Sequence, residues 1–304
     1  MANYIPYSSI DKFRKRNTEK FEGHNVVLTE KIHGSNFQIV VSRDPINIRF
    51  GKRSGYLVDG ENFFGYEQTM DPYKCRVTNA LNALEAQNMT IIGEYYGGNL
   101  NGTKSKNAIT VQKGIYSNYS AENEFAIYEV IVDKIWYSWD QVKEFATKYG
   151  FTHVPEIARG PWESFAEFDV NSLRSQLAQS DSPAEGVVIR LETQDANVRD
   201  IRVKWKCDSM LESPRQIKNT GSHEDDNMRY CYGMMNQPRF DCYLSKVGPE
   251  EFTDAKIGNN IKELVADTII DIEDKFGNEI EIKKIRKKLS AIARKFIFEY
   301  MRNT

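Results

Sequence analysis

The chain contains 304 residues, of which 40% are hydrophobic and 28% charged, and this balance is typical of a globular protein. Its 41 basic and 43 acidic residues give a formal net charge of −2. Bulk positive charge is therefore excluded as a means of binding nucleic acid, and such binding would require a local basic surface.

The sequence predicts a cytoplasmic protein that does not associate with a membrane. No apolar run reaches the roughly 18 residues that a membrane-spanning helix requires, and the N-terminus lacks the apolar core of a secretory signal. The four cysteines form no C-x-x-C pair, which argues against a zinc site and favours reduced thiols.

Short segments rich in β-branched and aromatic residues dominate the first two thirds of the chain and predict strands. They lie at 25–31, 37–42, 46–53, 90–97, 124–132, 186–192 and 201–207. A helix is predicted at 72–87, and a second at 138–150, where a capping pattern begins the segment and a glycine ends it. The polar segments 101–123 and 208–240 are predicted to be loops.

Two amphipathic helices are predicted after about residue 240, separated by Gly277-Asn278. The second also carries a basic run: Lys283, Lys284, Arg286, Lys287, Lys288, Arg294 and Lys295. We therefore expect a β-rich domain at 1–240 and a helical domain at 241–304. The basic run is either a solvated helix face or a surface that binds nucleic acid.

Candidate chemistry begins at EKIHGSNF (30–37), where Lys31 ends a strand and a glycine follows at a bend. A lysine becomes a nucleophile only after losing its proton, for which burial or neighbouring cations are required. Lys204 and Lys206 lie two apart on a predicted strand, so they share one face and suit a polyphosphate. Arg53 ends another strand and suits a phosphate.

Acidic and aromatic residues add to this set. Glu94 and Glu185 lie at strand ends beside glycines, where a carboxylate can hold a sugar hydroxyl or Mg²⁺. In FAIYEV (125–130), alternation places Glu129 on one face and Tyr128 on the other, where an aromatic ring could stack on a base. Each of these residues, taken alone, also fits an ordinary turn or core position.

The order of the segments EKIHGSN, GEYYGG, FAIYEV, EGVVIR and VKWKC resembles the motif order of the covalent nucleotidyltransferases. The histidine and asparagine of K-x-H-G-x-N, together with YSSIDKF and VQKGIY, are similar to the RNA ligase 2 family. The resemblance covers about residues 5–210. It implies an α+β, ATP-grasp-like nucleotidyltransferase domain of antiparallel sheets with flanking helices. The small helical domain at 241–304 is predicted from its apolar stripes alone, and its basic run would make it a substrate-binding domain.

The resemblance also implies roles for single residues. Lys31 would carry AMP, and His33, two residues away, would either take part in the chemistry or position the loop. The expected nucleotide-binding residues are Glu30, Lys31, Ile32, Asn36, Arg53, Glu94, Tyr128, Glu185, Lys204 and Lys206. Glu185 and Glu129 would serve the metal. Tyr-Glu at 128–129 departs from the family's Phe-Asp.

The activity implied is ATP-dependent joining of RNA ends, a 3′-hydroxyl to a 5′-phosphate in a nicked duplex, in RNA repair. The cofactors would be ATP and Mg²⁺, with Mn²⁺ tolerated, and the enzyme would be a monomer without an obligate protein partner. The alternatives are a DNA ligase or an mRNA guanylyltransferase, which carry K-x-D-G and an OB-fold, and a non-catalytic nucleic-acid-binding relative.

Overall fold

The computed structural model describes residues 4–7, 10–13, 17–43, 45–112, 117–193, 201–207, 223–277 and 280–303. They divide into two compact units, Met1–Asp208 and Ser209–Thr304, each with a hydrophobic core of its own. Within the described ranges, no helix is long and apolar enough to cross a membrane.

The first unit contains the strands and two of the helices. The strands are β1 (Asp11–Lys12), β2 (Asn25–Glu30), β3 (Ser35–Ser42), β4 (Asn47–Lys52), β5 (Gly55–Tyr56), β6 (Asn88–Asn99), β7 (Ser120–Val132), β8 (Ile135–Trp136), β9 (Thr152–His153), β10 (Glu156–Pro161), β11 (Gly186–Leu191) and β12 (Arg202–Lys206). The helices are α1 (Tyr66–Ala83) and α2 (Trp139–Tyr149). Every predicted strand is confirmed.

The strands form two sheets. The five-stranded sheet has the order β1-β12-β11-β2-β10, and the seven-stranded sheet has the order β5-β4-β3-β6-β7-β8, with β9 beside β7. All neighbours are antiparallel except β1 with β12 and β9 with β7. The predicted α+β fold with antiparallel sheets is therefore confirmed.

The helices of the first unit form where apolar residues recur at helical spacing. In α2, the Ser138 side chain accepts a hydrogen bond from the Gln141 backbone N–H, and the Gln141 side chain accepts one from the Ser138 backbone N–H. These two bonds confirm the capping box. The helix ends at Gly150 in the left-handed conformation. The other helix, α1, begins at Tyr66 rather than at the predicted residue 72, and Pro72 lies inside it.

The five-stranded sheet has one apolar and one polar face near β12. Val187, Ile189 and Val203 point into a small core, whereas alternation turns Arg202, Lys204 and Lys206 to the opposite face. A bulge in the other sheet places Ile92 opposite Glu129 but Gly93 opposite Ile127, so Tyr128 is the extra residue. Simple alternation would have placed Glu129 on the same face as Ile127. Because of the bulge, Val130 instead joins Ile127 in the core, so the predicted alternation at Tyr128 and Glu129 is wrong.

The second unit is helical in its described part: α3 (His223–Gly233), α4 (Gln237–Val247), α5 (Ile257–Phe276) and α6 (Ile282–Asn303). The two predicted amphipathic helices are confirmed as α5 and α6. The structure moves the predicted boundary at residue 240 to Asp208, because apolar residues of α3 and α4 pack in the same core as α5 and α6. Residues 223–240 are therefore helical in large part rather than a loop, and residues 208–222 lie outside the described ranges.

Candidate active site

Three basic side chains converge on the buried carboxylate of Glu185. Lys31 Nζ lies 2.7 Å from Glu185 Oε2, and Lys206 Nζ lies 2.8 Å from Oε1. His33 Nδ1 lies 3.3 Å from Oε2. Burial raises the pKa of Glu185, but Lys206, Lys31 and His33 together outweigh it and hold that pKa well below its usual range. The carboxylate is therefore ionised and holds two lysines close together.

The chain around Gly186 explains why Glu185 reaches Lys206. A Cβ at Gly186 would lie 2.1 Å from the Trp205 carbonyl oxygen, so only glycine permits this approach of β11 to β12. The Lys31 backbone N–H donates to the Gly186 carbonyl at 2.9 Å. The ends of β2, β11 and β12 are thus joined at the point where Lys31 leaves β2.

A second group of predicted residues lies on the seven-stranded sheet. Asn36 is opposite Glu94 in the pairing of β3 with β6. The Asn36 amide donates to the Tyr128 hydroxyl at 2.6 Å, while its buried Oδ1 accepts no hydrogen bond from the described residues. A buried acceptor without a protein partner is costly, so this oxygen is available to a ligand.

Glu94 links this group to Lys31 electrostatically. Burial raises its pKa to about 7, and the nearby Glu185 adds to the rise, whereas Lys31 and Arg53 lower it. The charges of Lys31, Arg53 and Glu185 therefore all act on one carboxyl. The structure brings together Lys31, His33, Asn36, Glu94, Tyr128, Glu185 and Lys206, with Arg53 close enough to act on Glu94.

Other predicted residues have different surroundings. Glu30 accepts from the Ser175 hydroxyl at 2.5 Å and the Gln176 N–H at 2.8 Å, so its side chain is used within the protein. The Ile32 side chain is buried in the main core, so only its main chain could touch a nucleotide. Lys204 shares the face of Lys206 by strand alternation.

Glu129 belongs to a separate buried cluster. Its carboxylate pairs with Arg202, and the Tyr7 hydroxyl donates to it at 3.1 Å. Because an arginine already neutralises this carboxylate, its metal role stays a prediction that these contacts do not support. Among the described residues, no group of three or more His, Cys, Asp or Glu side chains could hold a metal ion.

Several residues that shape the site are not among those predicted from the sequence, namely Tyr7, Gln112, Tyr119 and Arg202. Arg202, Lys204 and Lys206 are each two residues apart, and this spacing could have placed Arg202 on the same strand face as the two lysines. Tyr119 and Gln112 lie in the segment 101–123 that was predicted to be a loop; Gln112 belongs to the family-like motif VQKGIY, which could have identified it, whereas no local pattern distinguishes Tyr119. Their roles depend on contacts across the fold.

A family model and several known proteins match this chain. A family model described as RNA ligase matches residues 24–206. RNA-editing ligase 1 of Trypanosoma brucei brucei, a mitochondrial protein, is 26% identical over 278 residues, covering 74% of this chain and 58% of the relative. RNA-editing ligase 2 of the same organism is 26% identical over 195 residues, covering 54% of this chain and 47% of the relative. The chain thus spans little more than half the length of these relatives.

Solved structures with this fold include the RNA ligase of Naegleria gruberi. A variant of it with ATP and Mn has a TM-score of 0.52 and 14% identity, covering 68% of this chain and 58% of that one. The form with PPi has a TM-score of 0.50 and 15% identity, covering 68% and 57%. At such identity these structures establish the fold alone. The family model matches more than half of the chain and includes Lys31, Glu185 and Lys206, so the chain belongs to the RNA ligase family.

Proposed function

We propose that this protein is an ATP-dependent RNA ligase, which joins a 3′-hydroxyl to a 5′-phosphate through an AMP carried on Lys31. The observation that supports this most directly is the convergence of Lys31, His33 and Lys206 on Glu185. A structural ion pair requires one lysine, whereas attack on a charged phosphate requires a nucleophile with a second cation beside it.

The proposed reaction consists of three transfers. Lys31 gives its ammonium proton to water, its nitrogen bonds to the α-phosphorus of ATP, and the bond between the α-phosphorus and the bridging oxygen of the β-phosphate breaks, so that pyrophosphate leaves with the electron pair. A 5′-phosphate oxygen of the RNA then attacks the lysyl-AMP phosphorus and releases Lys31. Finally, the 3′-oxygen attacks the 5′-phosphorus and AMP leaves. Because its pKa is held low, Glu185 orients the lysines rather than acting as a strong base.

The residues around Lys31 suit a nucleotide in this scheme. The Asn36 oxygen, which has no partner within the described ranges, can accept a hydrogen bond from the ligand, and Tyr128 can stack on the base. A protonated Glu94 can donate to a ribose hydroxyl. Lys204 and Lys206 would neutralise the leaving pyrophosphate, and Arg53 would bind a phosphate.

A divalent metal fits the site only when phosphate brings most of its ligands. Glu185 is occupied by two lysines, and the raised pKa of Glu94, about 7, keeps part of this carboxyl protonated at neutral pH, so the protein by itself offers a poor cation site. Mg²⁺ commonly uses one or two carboxylates together with substrate phosphates and water. We therefore propose that Mg²⁺, or Mn²⁺ in its place, binds with ATP and that Glu185 contributes to holding it.

The substrate that we propose is a nick in duplex RNA, because the family and its relatives are named for RNA. Placement in the cytoplasm and a monomeric state belong to the same proposal; the relatives' names place those proteins in mitochondria. The second unit would bind the RNA backbone. A panel of nicks with RNA or DNA on either side of the break tests the substrate.

The decisive test is covalent labelling with radioactive ATP and Mg²⁺. We expect one AMP on Lys31, no label in Lys31→Ala, and no label in Lys31→Arg, because a guanidinium stays protonated and is not a nucleophile. Lys206→Ala should also fail to label, since the cation beside the leaving group is lost. Lys20→Ala, which alters a lysine paired with Asp11 away from Glu185, is the matched control and should label fully.

Three outcomes would contradict the proposal. An undiminished adduct in folded Lys31→Ala would exclude this residue as the nucleophile. A wild-type protein that binds nicked RNA but never labels would favour a non-catalytic binding protein, and labelling by GTP instead of ATP would favour a guanylyltransferase.

A further inference from the structure

Residues 31–34 form the turn that begins with the nucleophile and are here called the Lys31 loop. Packing and hydrogen bonds restrain this loop. Gly34 packs against β6, where a Cβ would lie 2.5 Å from the Tyr95 carbonyl oxygen. The Gln112 amide donates to the Gly34 carbonyl at 3.2 Å. The backbone at Lys31 is bound to Gly186. The Lys31 loop therefore has little freedom at either end.

In the middle of the Lys31 loop, one backbone group depends on a distant side chain. The His33 N–H donates to the Tyr119 hydroxyl at 2.8 Å, across 86 positions of sequence. Tyr119 is only 1% exposed, and its ring packs edge-on against Tyr96 with centroids 5.2 Å apart. The Gln179 N–H donates to the Tyr119 carbonyl at 3.0 Å, so the main chain of this tyrosine is fixed as well.

We propose that Tyr119 is a positioning residue for the first transfer, and this inference rests on the proposed function. Its hydroxyl fixes the His33 backbone, which sets the direction in which Lys31 and the His33 ring leave the loop toward Glu185. Small errors at this turn would move the Lys31 amine away from the line of attack on the α-phosphorus, and misplacement of a reacting atom is costly.

The chemistry of Tyr119 suits a fixed support. Burial raises its pKa well above the usual value, and the carboxylates of Glu30, Glu185 and Glu94 add to that rise. The hydroxyl therefore stays neutral at any working pH and can always accept from the His33 N–H. Tyr119 touches neither the reacting atoms nor the ion pairs of Glu185 in the contacts described, so its effect passes through the backbone.

The test compares two steps of the reaction in full-length Tyr119→Phe. The ring and its packing remain, but the His33 N–H loses its acceptor. At saturating ATP, formation of the Lys31–AMP adduct should slow by about tenfold or more, equivalent to about 1.4 kcal/mol, with little change in KM for ATP. Sealing of RNA that already carries AMP on its 5′ end should keep its normal rate, since Lys31 does not attack in that step.

The matched control is Tyr96→Phe, which removes the buried neighbouring hydroxyl that donates to Glu124 at 3.0 Å. It should form the adduct at the normal rate. An unchanged adduct rate in Tyr119→Phe would overturn the inference. So would an equal loss on pre-adenylylated RNA, which indicates general damage, or a loss confined to KM, which indicates a role in ATP binding. If the wild-type protein forms no adduct at all, the proposed function itself fails.

Discussion

At the scale of single residues, the candidate site contains two carboxylates whose surroundings drive their pKa values in opposite directions. Glu185 is ionised because two lysines and a histidine surround it. Glu94 has a pKa of about 7, because burial and the nearby Glu185 outweigh Lys31 and Arg53. Carboxylates separated in this way are typical of sites that divide proton and charge functions between them.

Glu94 predicts a pH dependence of stability. The folded pKa is raised from 4.5 to about 7, so between these values the folded state retains a proton that the unfolded state has lost. The free energy of unfolding should therefore fall as pH rises through this window, by up to about 1.4 kcal/mol per pH unit. Glu94→Gln should remove this contribution, as measured by denaturant unfolding at several pH values without nucleotide.

The control for Glu94 is Glu122→Gln, which alters an exposed carboxylate on β7. It should keep the wild-type pH dependence. The same slope in Glu94→Gln as in the wild type would show that Glu94 ionises normally, and its assignment as a neutral hydrogen-bond donor to ribose would then be wrong.

At the scale of elements, α4 is held to α5 by a buried arginine. Arg239 is 1% exposed, and its guanidinium pairs with Asp271 at 2.6 Å and with Asp267 at 3.0 Å. Its Nε donates to the Met234 carbonyl at 2.8 Å. An arginine satisfied in this way fixes how two helices pack, and replacing it would remove the guanidinium from a carboxylate with little exposure, that of Asp271.

Arg239→Ala should destabilise the second unit by roughly 3 kcal/mol, at the low end for a broken buried ion pair because Asp267 is partly exposed. All four tryptophans lie in the first unit, so their fluorescence follows that unit, whereas the helical circular dichroism signal draws strongly on the second. In urea, the dichroism transition should move to a lower concentration while the fluorescence transition stays.

Lys295→Ala, which removes an exposed ion pair with Glu299 on α6, is the control and should change stability by less than about 1 kcal/mol. If both signals shift together in Arg239→Ala, the two units unfold as one. An unchanged dichroism transition would mean that the buried ion pairs contribute nothing to the helical unit.

At the scale of the whole molecule, the groups proposed for the first transfer lie in one unit and the basic helix in the other. The seven basic residues of α6 noted in the sequence are exposed, while Ile285, Leu289, Ala293 and Ile297 are buried on the opposite face. This is the surface that we propose for the RNA backbone. The domain boundary after Asp208 defines where the chain should be cut to separate the two functions.

Residues 1–208 alone should form the Lys31–AMP adduct at the normal rate but seal nicked RNA poorly. In the full-length chain, Lys287→Ala with Arg294→Ala should weaken binding to nicked duplex and reduce the salt dependence by about one unit per lost phosphate contact. Lys74→Ala with Lys148→Ala, which changes two lysines of the first unit, is the control. Full sealing by residues 1–208 would contradict the proposed role of the second unit.

The sequence by itself determined the local features of this protein. The strands, the amphipathic helices α5 and α6 and the capping box of α2 follow from alternation and spacing within short windows. Lys31, Glu185 and Lys206 were identified from strand ends and motif order. These features are predictable because neighbours in sequence decide them.

Only the tertiary structure decided which distant groups meet. The convergence of Lys31 and Lys206 on Glu185 joins positions 154 and 21 residues apart, through the pairing of β2, β11 and β12. The bulge at Tyr128 depends on the register of β6, and the boundary at Asp208 depends on α3 and α4 sharing a core with α5 and α6. Strand register and core packing are set by the whole chain at once, so no short segment contains them.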